Sequence, residues 1–357
     1  MGMVRVLLAI AVVFQHTYGT LFDGGYIAVQ LFFIVSGFVI SFILVEQQSY
    51  PTPGAFYKNR VLRLFPIYYV VAIGSLVFYM TLPLITGNPT SFQEVYQSID
   101  IVGQALLVFG NLFILGQDWV MFTAVHDGVV HFHHDFQDSE VPVWRGLLVP
   151  PAWSLSVGLV FYLIAPFVLP RFRLLLTLLI LSILVRLLLH GLGLATLEQW
   201  NYWFFPAELA FFLVGALAHQ LGLPLARRLG LLTQAMTRGV TWAMVGGVMV
   251  FVTFDVDLPR FVTIVIFLAA LPFMFHFQSF SHWDRWIGEL GYPIYVVHWI
   301  IMVAVNYAWD ILGPVPGYQG MDETLLVVAL SVVAALLLKR IVGDPIEAAR
   351  DRLRQTA

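Results

Sequence analysis

The sequence predicts an all-α, polytopic membrane protein with about ten transmembrane helices. Of its 357 residues, 60% are hydrophobic and only 11% are charged, whereas a soluble domain has about 25% charged residues. Apolar runs long enough to cross about 30 Å of hydrocarbon recur along the whole chain. They cover residues 4–20, 26–45, 64–85, 151–170, 173–191, 204–222, 237–254, 261–278, 287–309 and 323–341.

A further apolar run, at 99–116, is interrupted by Gly103, Gly110 and Asn111. Lys and Arg concentrate in cytoplasmic loops. The positions of the Lys and Arg clusters between the apolar runs therefore indicate whether this run crosses the membrane. With ten crossings and both termini cytoplasmic, every cluster faces the cytoplasm, whereas an extra crossing would place all clusters from Arg171 onward outside. We therefore predict that 99–116 enters the outer leaflet without crossing, or lies along it. The basic residues that do not fit this topology are Arg145, Arg186 and Arg260.

This topology predicts one integral-membrane domain over residues 1–357, with an extracytoplasmic loop at 117–150 and a short cytoplasmic tail at 342–357. The absence of cysteine excludes disulfides, thiolate metal sites and a cysteine nucleophile. No basic tract with interleaved aromatic residues is present, so nucleic acid is not an expected partner. The expected surroundings are the lipid bilayer.

The predicted loop at 117–150 is rich in histidine and acidic residues. His131, His133 and His134 precede Asp135, which suggests a zinc site. The alternative is a solvated hairpin in which the residues from His131 to His133 alternate between its faces. Because no ligand set has an established spacing, we predict no metal site. A role in covering the extracytoplasmic mouth of a site is favoured, since long ordered loops are often functional.

The first apolar run carries Arg5 near one end and His16 near the other. On a helix with a rise of about 1.5 Å per residue, the two side chains lie about 16 Å apart. Arg5 would then be at a membrane face, with His16 well inside the bilayer or in a cavity that opens into it. A charged group at that depth costs about 2.5 kcal/mol or more, so His16 is a candidate functional residue. The alternative is a neutral histidine bonded to a neighbouring helix, and Gln30 on the second run is a possible partner.

A basic cluster precedes the third apolar run, in a predicted loop. Arg60 and Arg63 are three residues apart and would share one face of a helix. Guanidinium groups bind phosphates through paired hydrogen bonds, so these two residues could hold a polyphosphate, with Arg5 at the same membrane surface. The alternative is the ordinary excess of positive charge in cytoplasmic loops.

Six motifs follow one another along the chain, and together they resemble the membrane-bound acyltransferase-3 family, the O-acetyltransferases that modify bacterial surface glycans. The resemblance covers essentially the whole chain. The motifs are Arg5-x10-His16, Phe32-Phe33-x-x-Ser36-Gly37-Phe38, Arg60-x-x-Arg63, Trp153-Ser154-Leu155-Ser156-Val157 with Phe161-Tyr162-Leu163 and Pro166, Phe205-Pro206 with Phe211-Phe212-Leu213-Val214-Gly215, and Gly291-Tyr292-Pro293-Ile294-Tyr295-Val296-Val297-His298.

The resemblance implies transfer of an acetyl or other acyl group from cytoplasmic acyl-CoA to a hydroxyl of an extracytoplasmic polysaccharide or glycolipid. It implies a multi-pass protein of the bacterial inner membrane that uses acyl-CoA as a substrate and has no resident cofactor. His16 would be the catalytic residue, as a general base or as an acyl relay, and Arg5, Arg60 and Arg63 would bind acyl-CoA. Supporting or acceptor-site candidates are Gln30, Ser36, Trp153, Tyr162, Glu208, Tyr295 and His298.

Two departures from the family pattern leave other functions open. The Trp-Ser-Leu block commonly continues with Glu, where this chain has Gly158, and an acid that often precedes Leu-Phe-Phe is here Gln30. Glu208 or another acid could replace the missing carboxylate, although a structural hydrogen bond is as plausible for Glu208, and a packing role is plausible for His298. The alternatives are a transporter or flippase of a lipid-linked glycan, and a catalytically silent partner of a glycan-assembly complex.

Overall fold

A computed structural model describes residues 1–18, 24–254, 259–312 and 320–355. The described chain is almost entirely helical, as the sequence predicts. The α-helices are α1 (Gly2–Tyr18), α2 (Gly24–Ser41), α3 (Pro53–Thr86), α4 (Ser91–Ser98), α5 (Ile101–Phe113), α6 (Trp153–Val168), α7 (Phe172–Gly191), α8 (Phe205–Leu217), α9 (Leu223–Arg228), α10 (Gln234–Phe254), α11 (Arg260–Phe280), α12 (His282–Gly288), α13 (Gly291–Leu312), α14 (Met321–Leu338) and α15 (Asp344–Gln355). Four π-helical turns adjoin them, at Phe42–Glu46, Gln199–Trp203, Ala218–Gly222 and Lys339–Gly343.

Each of the ten predicted membrane spans corresponds to a helix, although residues 19 and 20 of the first span lie outside the described part. Within the described residues, eight helical segments are long and apolar enough to cross a membrane, and α1 is a shorter apolar helix. The third span begins earlier than predicted, because α3 runs for 34 residues from Pro53. Lys58, Arg60 and Arg63 therefore lie on the first turns of α3 and not in a loop.

The apolar run at 99–116 forms the short helix α5. Its 13 residues span about 20 Å, less than the roughly 30 Å of a hydrocarbon core. Asp100 caps its beginning by accepting a hydrogen bond from the N–H of Gly103 at 3.1 Å. It ends at Phe113, and the φ of 64° at the next residue, Ile114, departs from the helical conformation. The length of α5 agrees with a segment that does not cross the bilayer.

The chain forms two compact units, each built from several chain segments. The first unit comprises Met1–Arg63, Ala165–Leu179 and Ala210–Ala357, and the second comprises Leu64–Ile164 and Ile180–Leu209. The predicted loop at 117–150 lies within the second unit and the predicted tail within the first. A single domain over 1–357 stays a prediction.

Helix α1 is the central element of the first unit, where it contacts α2, α10, α12, α13 and α14. It runs parallel to α13, because the carbonyl oxygen of Arg5 lies beside Gly291 and His16 contacts His298 further along both helices. Parallel α1 and α13 require an odd number of crossings between them. Seven predicted spans lie between α1 and α13, which is an odd number. An additional crossing by α5 would make the number even and the two helices antiparallel. The packing therefore supports the predicted topology of α5.

Two glycines allow α2 and α8 to cross at very short distance in the first unit. A Cβ atom on Gly37 would lie 1.8 Å from the carbonyl oxygen of Phe212, and one on Gly215 would lie 2.0 Å from that of Ile34. Small residues at such crossings are typical of membrane helices. Both glycines belong to motifs of the acyltransferase-3 pattern, and close helix packing is the physical reason for them.

The second unit contains an apolar cluster under the segment between α5 and α6. Its buried members are Val95, Ile99, Leu107, Val120, Val125, Val143 and Leu147. A hairpin of two antiparallel strands, β1 (Thr123–His126) and β2 (Val129–Phe132), lies in this segment. Asp127 and Gly128 form its turn with φ of 52° and 76°, which is the type I′ geometry preferred in hairpins. The hairpin alternative is confirmed, although Phe132 is 74% exposed and does not face inward.

Candidate active site

The candidate catalytic residue His16 pairs with a second histidine in the first unit. Nδ1 of His16 lies 2.9 Å from Nε2 of His298, and the two ring planes are within 5° of parallel. Nδ1 of His298 lies 2.7 Å from the carbonyl oxygen of Tyr295, one turn earlier on α13. His298 is completely buried, whereas the side chain of His16 is exposed.

The hydrogen-bond chain fixes the protonation of both rings in their neutral forms. A carbonyl oxygen only accepts hydrogen bonds, so Nδ1 of His298 carries a proton and donates it to Tyr295. The other nitrogen of His298 is then an acceptor, and it accepts from the N–H at Nδ1 of His16. Nε2 of His16 is left as an unprotonated lone pair. This chain therefore makes Nε2 of His16 the basic atom of the pair.

Aromatic rings of α13 lie beside this pair, and a ring of α2 contacts one of them. The ring of Trp299 stands edge-on to His16 at 5.4 Å between centroids, and Phe32 stands edge-on to Tyr295 at 6.1 Å. The described hydrogen bond of His16 is to His298, and a bond between His16 and Gln30 stays a prediction. The amide of Gln30 is nevertheless buried, at 4% exposure. Ser36 is half-buried, next to the close crossing at Gly37.

A buried carboxylate fixes the beginning of α1, which carries Arg5 and His16. Asp284 on α12 accepts the backbone N–H of Gly2 at 2.8 Å and that of Met3 at 2.9 Å. The first N–H groups of a helix have no partner within it, and a negative charge there is favourable to the helix dipole. Since α12 directly precedes α13, this contact places α1 relative to the helix that carries His298. The sequence analysis missed Asp284, although an acid between two apolar runs was a signal for such a cap.

The three candidate acyl-CoA arginines all belong to the first unit. Arg60 is 4% exposed, and its Nη2 donates to the side-chain oxygen of Asn59 at 3.0 Å. Its guanidinium also lies over the ring of Phe56, 5.4 Å from the centroid. Arg5 and Arg63 are half-buried. The convergence of the three on one phosphate chain stays a prediction.

The other three site candidates lie in the second unit. Trp153 is buried in an aromatic cluster, edge-on to Tyr202 at 4.7 Å and to Trp203 at 5.8 Å between centroids. Tyr162 is half-buried on the same helix, α6. Glu208 is completely buried and bonded to Nη2 of Arg186. Arg186 also donates from Nε to the carbonyl oxygen of Ala207 at 2.8 Å.

The ion pair between Arg186 and Glu208 explains why Arg186 lies outside the predicted cytoplasmic loops. A guanidinium within a membrane helix is tolerated when it pairs with an acid and with backbone carbonyls, and Arg186 does both. Glu208 thus has the structural bond that the sequence analysis left open.

Breaking this pair is expected to destabilise the protein. Glu208→Gln leaves the Arg186 guanidinium without its carboxylate, and we expect the free energy of unfolding to fall by up to about 3 kcal/mol. The double variant Arg186→Met/Glu208→Leu should recover much of this loss, because both charges are then removed. Thermal unfolding in detergent measures both effects, with Glu94→Gln, which changes an exposed residue of α4, as the control. A double variant as unstable as Glu208→Gln would contradict the expectation.

Open space adjoins Gly158, which stands where the family pattern commonly has Glu. The residue is buried, yet a Cβ atom built on it would meet no described atom within 4 Å. The Trp-Ser-Leu block is instead bonded to another acid. Ser156 donates to Oδ1 of Asp118 at 2.5 Å, and Asp118 is 2% exposed. Asp118 is therefore a carboxyl group at this block that the sequence analysis did not single out.

Burial raises the pKa of Asp118 from its ordinary value of 3.8 to about 6. Because its pKa is raised, this carboxyl ionises less readily in the folded state than in the unfolded state. The free energy of unfolding is therefore highest below about pH 4 and falls as the pH rises from about 4 to about 6. A shift of about two units corresponds to roughly 3 kcal/mol.

Asp118→Asn is expected to remove this pH dependence, because an amide does not titrate and its oxygen still accepts from Ser156. The variant should unfold at a higher temperature than the wild type at pH 7.5, and at a similar temperature near pH 4. Thermal unfolding in detergent across this range tests the expectation. An unchanged slope of stability against pH would show that Asp118 titrates normally.

The histidine-rich segment shows no metal site. Three of its rings, those of His126, His133 and His134, lie near one another, at 5.8 Å and 4.6 Å between neighbouring centroids. Nevertheless, no group of three or more potential metal ligands is arranged to hold an ion within the described ranges. The backbone carbonyl of His134 accepts hydrogen bonds from the side chains of Gln199 and Trp200, which connects the segment to the residues before α8.

Comparison with known proteins identifies the family. The family model described as "Acyltransferase domain", of acyltransferase-3 type, matches residues 2–340. "Protein 2 in picA locus" of Rhizobium radiobacter is 31% identical over 163 residues, which cover 44% of this chain and 74% of that protein. No solved structure matches the chain. The chain therefore belongs to the acyltransferase-3 family and is a multi-pass membrane acyltransferase.

Proposed function

We propose that the protein transfers an acyl group, acetyl in the simplest case, from cytoplasmic acyl-CoA to a hydroxyl of an extracytoplasmic polysaccharide or glycolipid. The single observation that carries the proposal is the chain from Tyr295 through His298 to His16. It leaves an unprotonated ring nitrogen on an exposed side chain in a helix of the membrane domain, and that nitrogen is the base that acyl transfer to a hydroxyl requires.

In this mechanism Nε2 of His16 removes the proton of the acceptor hydroxyl while the hydroxyl oxygen attacks the thioester carbonyl. The new ester bond forms, the carbon–sulfur bond breaks, and the leaving thiolate of coenzyme A takes up the proton from Nε2 of His16, which regenerates the base. His298 holds the ring of His16 in the required tautomer, as the acid of a serine protease holds its histidine. General-base assistance of this type is worth about 10²- to 10⁴-fold in rate.

The donor assignment rests on the basic residues of the first unit. Coenzyme A carries phosphate groups, and Arg5, Arg60 and Arg63 offer guanidinium groups that pair with them. On the proposed topology these residues face the cytoplasm, where acyl-CoA is available, and His16 lies about 16 Å deeper along α1. Both termini are then cytoplasmic and the membrane is the bacterial inner membrane.

The test compares the surface polysaccharide of a strain that lacks the gene with that of the same strain after the gene is restored. Mass spectrometry of the polysaccharide should show an ester-linked acyl group only when the gene is present, and mild base should remove it. Purified protein in liposomes should release free coenzyme A from acetyl-CoA only when an acceptor glycan is added. Unchanged acylation together with lost export of the glycan would overturn the proposal and indicate a transporter.

A further inference from the structure

Helix α15 brings a second buried arginine to the candidate residue Arg60. Nη2 of Arg350 donates to the side-chain oxygen of Asn59 at 2.9 Å, and Nη2 of Arg60 donates to the same oxygen at 3.0 Å. Arg350 is 3% exposed and Asn59 is 6% exposed. The family model ends at residue 340, so Arg350 lies beyond the part of the chain that the family pattern describes.

The shared oxygen places two like charges close together away from water. Because both Nη2 atoms bond one amide oxygen, they lie within about 6 Å of each other, and the positive charges repel more strongly there than in water. The neutral oxygen of Asn59 has two lone pairs, which these two donors occupy. Glu347, 47% exposed at its side chain, bonds Nη1 of Arg350. Two guanidinium groups and one carboxylate therefore meet at Asn59 and Arg350.

A phosphate ester matches this arrangement in charge and shape. It is an anion with several acceptor oxygens and can bridge two guanidinium groups through paired, charge-assisted hydrogen bonds. Asn59 holds one nitrogen of each guanidinium, and the ring of Phe56 packs against Arg60, so both groups are oriented in advance. The exposed carboxylate of Glu347 occupies the nitrogen of Arg350 that a phosphate oxygen would take, and therefore competes with an anionic ligand.

We propose that Arg350 and Arg60 together bind a phosphate group of the acyl-CoA donor, and that Glu347 is the anion it displaces. The inference rests on the proposed function and adds to it a donor-binding residue from the C-terminal helix. No covalent step occurs at this site. Its contribution is to binding of the donor, and so to KM and not to the chemistry at His16.

The test measures binding of coenzyme A to the purified full-length protein in detergent by equilibrium dialysis. Arg350→Ala is expected to weaken binding about tenfold, through loss of one charge-assisted contact. Glu347→Gln is expected to tighten binding several-fold, because the competing carboxylate is removed. Arg340→Ala, which removes an exposed arginine from the preceding turn, should leave binding unchanged.

The opposite directions of the two effects distinguish a binding role from a merely structural one. If Arg350 only anchored α15, Arg350→Ala and Glu347→Gln would both loosen the helix, and neither would tighten binding of coenzyme A. If the wild type binds coenzyme A and Glu347→Gln does not tighten that binding, this inference alone is overturned. A wild-type protein that binds no coenzyme A overturns the donor assignment and this inference together.

Discussion

Replacing His16 with alanine is expected to lower the rate of acyl transfer about 10²- to 10⁴-fold, because the reaction loses its general base. The variant removes the hydrogen bond to buried His298, so we expect the protein to fold with a free energy of unfolding lower by about 1–3 kcal/mol. Binding of acyl-CoA should also be retained, since the proposed phosphate contacts lie elsewhere in the first unit. Release of coenzyme A in liposomes, measured under saturating donor, gives the rate.

Two further histidine variants make this experiment specific. His298→Ala should lower the rate by about 10²-fold while His16 remains, because its ring then loses the partner that fixes its tautomer. His190→Ala, which removes an exposed histidine at the end of α7, should transfer at the wild-type rate. A His16→Ala variant that retains full activity would show that another group takes the proton of the acceptor.

Placing a methyl group on Gly37 is expected to have the largest effect on stability. In Gly37→Ala the new Cβ would lie 1.8 Å from the carbonyl oxygen of Phe212, and a backbone atom cannot rotate away as a side chain can. Helices α2 and α8 must therefore separate, which we expect to lower the free energy of unfolding by at least about 4 kcal/mol. Thermal unfolding and the yield of folded protein after purification in mild detergent report the loss.

A matched glycine on α3 separates this steric effect from a general response to alanine. A Cβ atom on Gly74 would meet no described atom within 4 Å, so Gly74→Ala should be neutral, or stabilising by up to about 1 kcal/mol through higher helix propensity. Gly215→Ala, by contrast, should resemble Gly37→Ala because its Cβ would meet Ile34. Equal stability of the Gly37 and Gly74 variants would contradict the close crossing of α2 and α8.

The architecture could be predicted from the sequence because its causes are local. A run of about twenty apolar residues forms a helix in the bilayer whatever surrounds it, and the distribution of Lys and Arg sets its direction. For the same reason the apolar run at 99–116 could be predicted as a segment that does not cross, which the short length of α5 supports. The beginning of α3 was missed, because its first turns, around Lys58, are polar and carry no hydropathy signal.

The contacts of the candidate site could be predicted only in part. His16 and Arg60 stand out because ionisable groups are rare in such a chain, but their partners do not follow from any local pattern. His298 is 282 residues from His16, and Arg350 is 291 residues from Asn59. The pairing of Glu208 with Arg186 likewise depends on how α7 and α8 pack, which hydropathy does not specify.

The central position of α1 has a consequence for biogenesis. Helix α1 contacts α10, α12, α13 and α14, which are synthesised more than 200 residues after it. At about 5–20 residues per second, these partners follow on the order of tens of seconds later. During that interval the polar side chains of α1 rest in lipid or against the insertion machinery, and the contact of His16 with His298 forms only after α13 has been inserted.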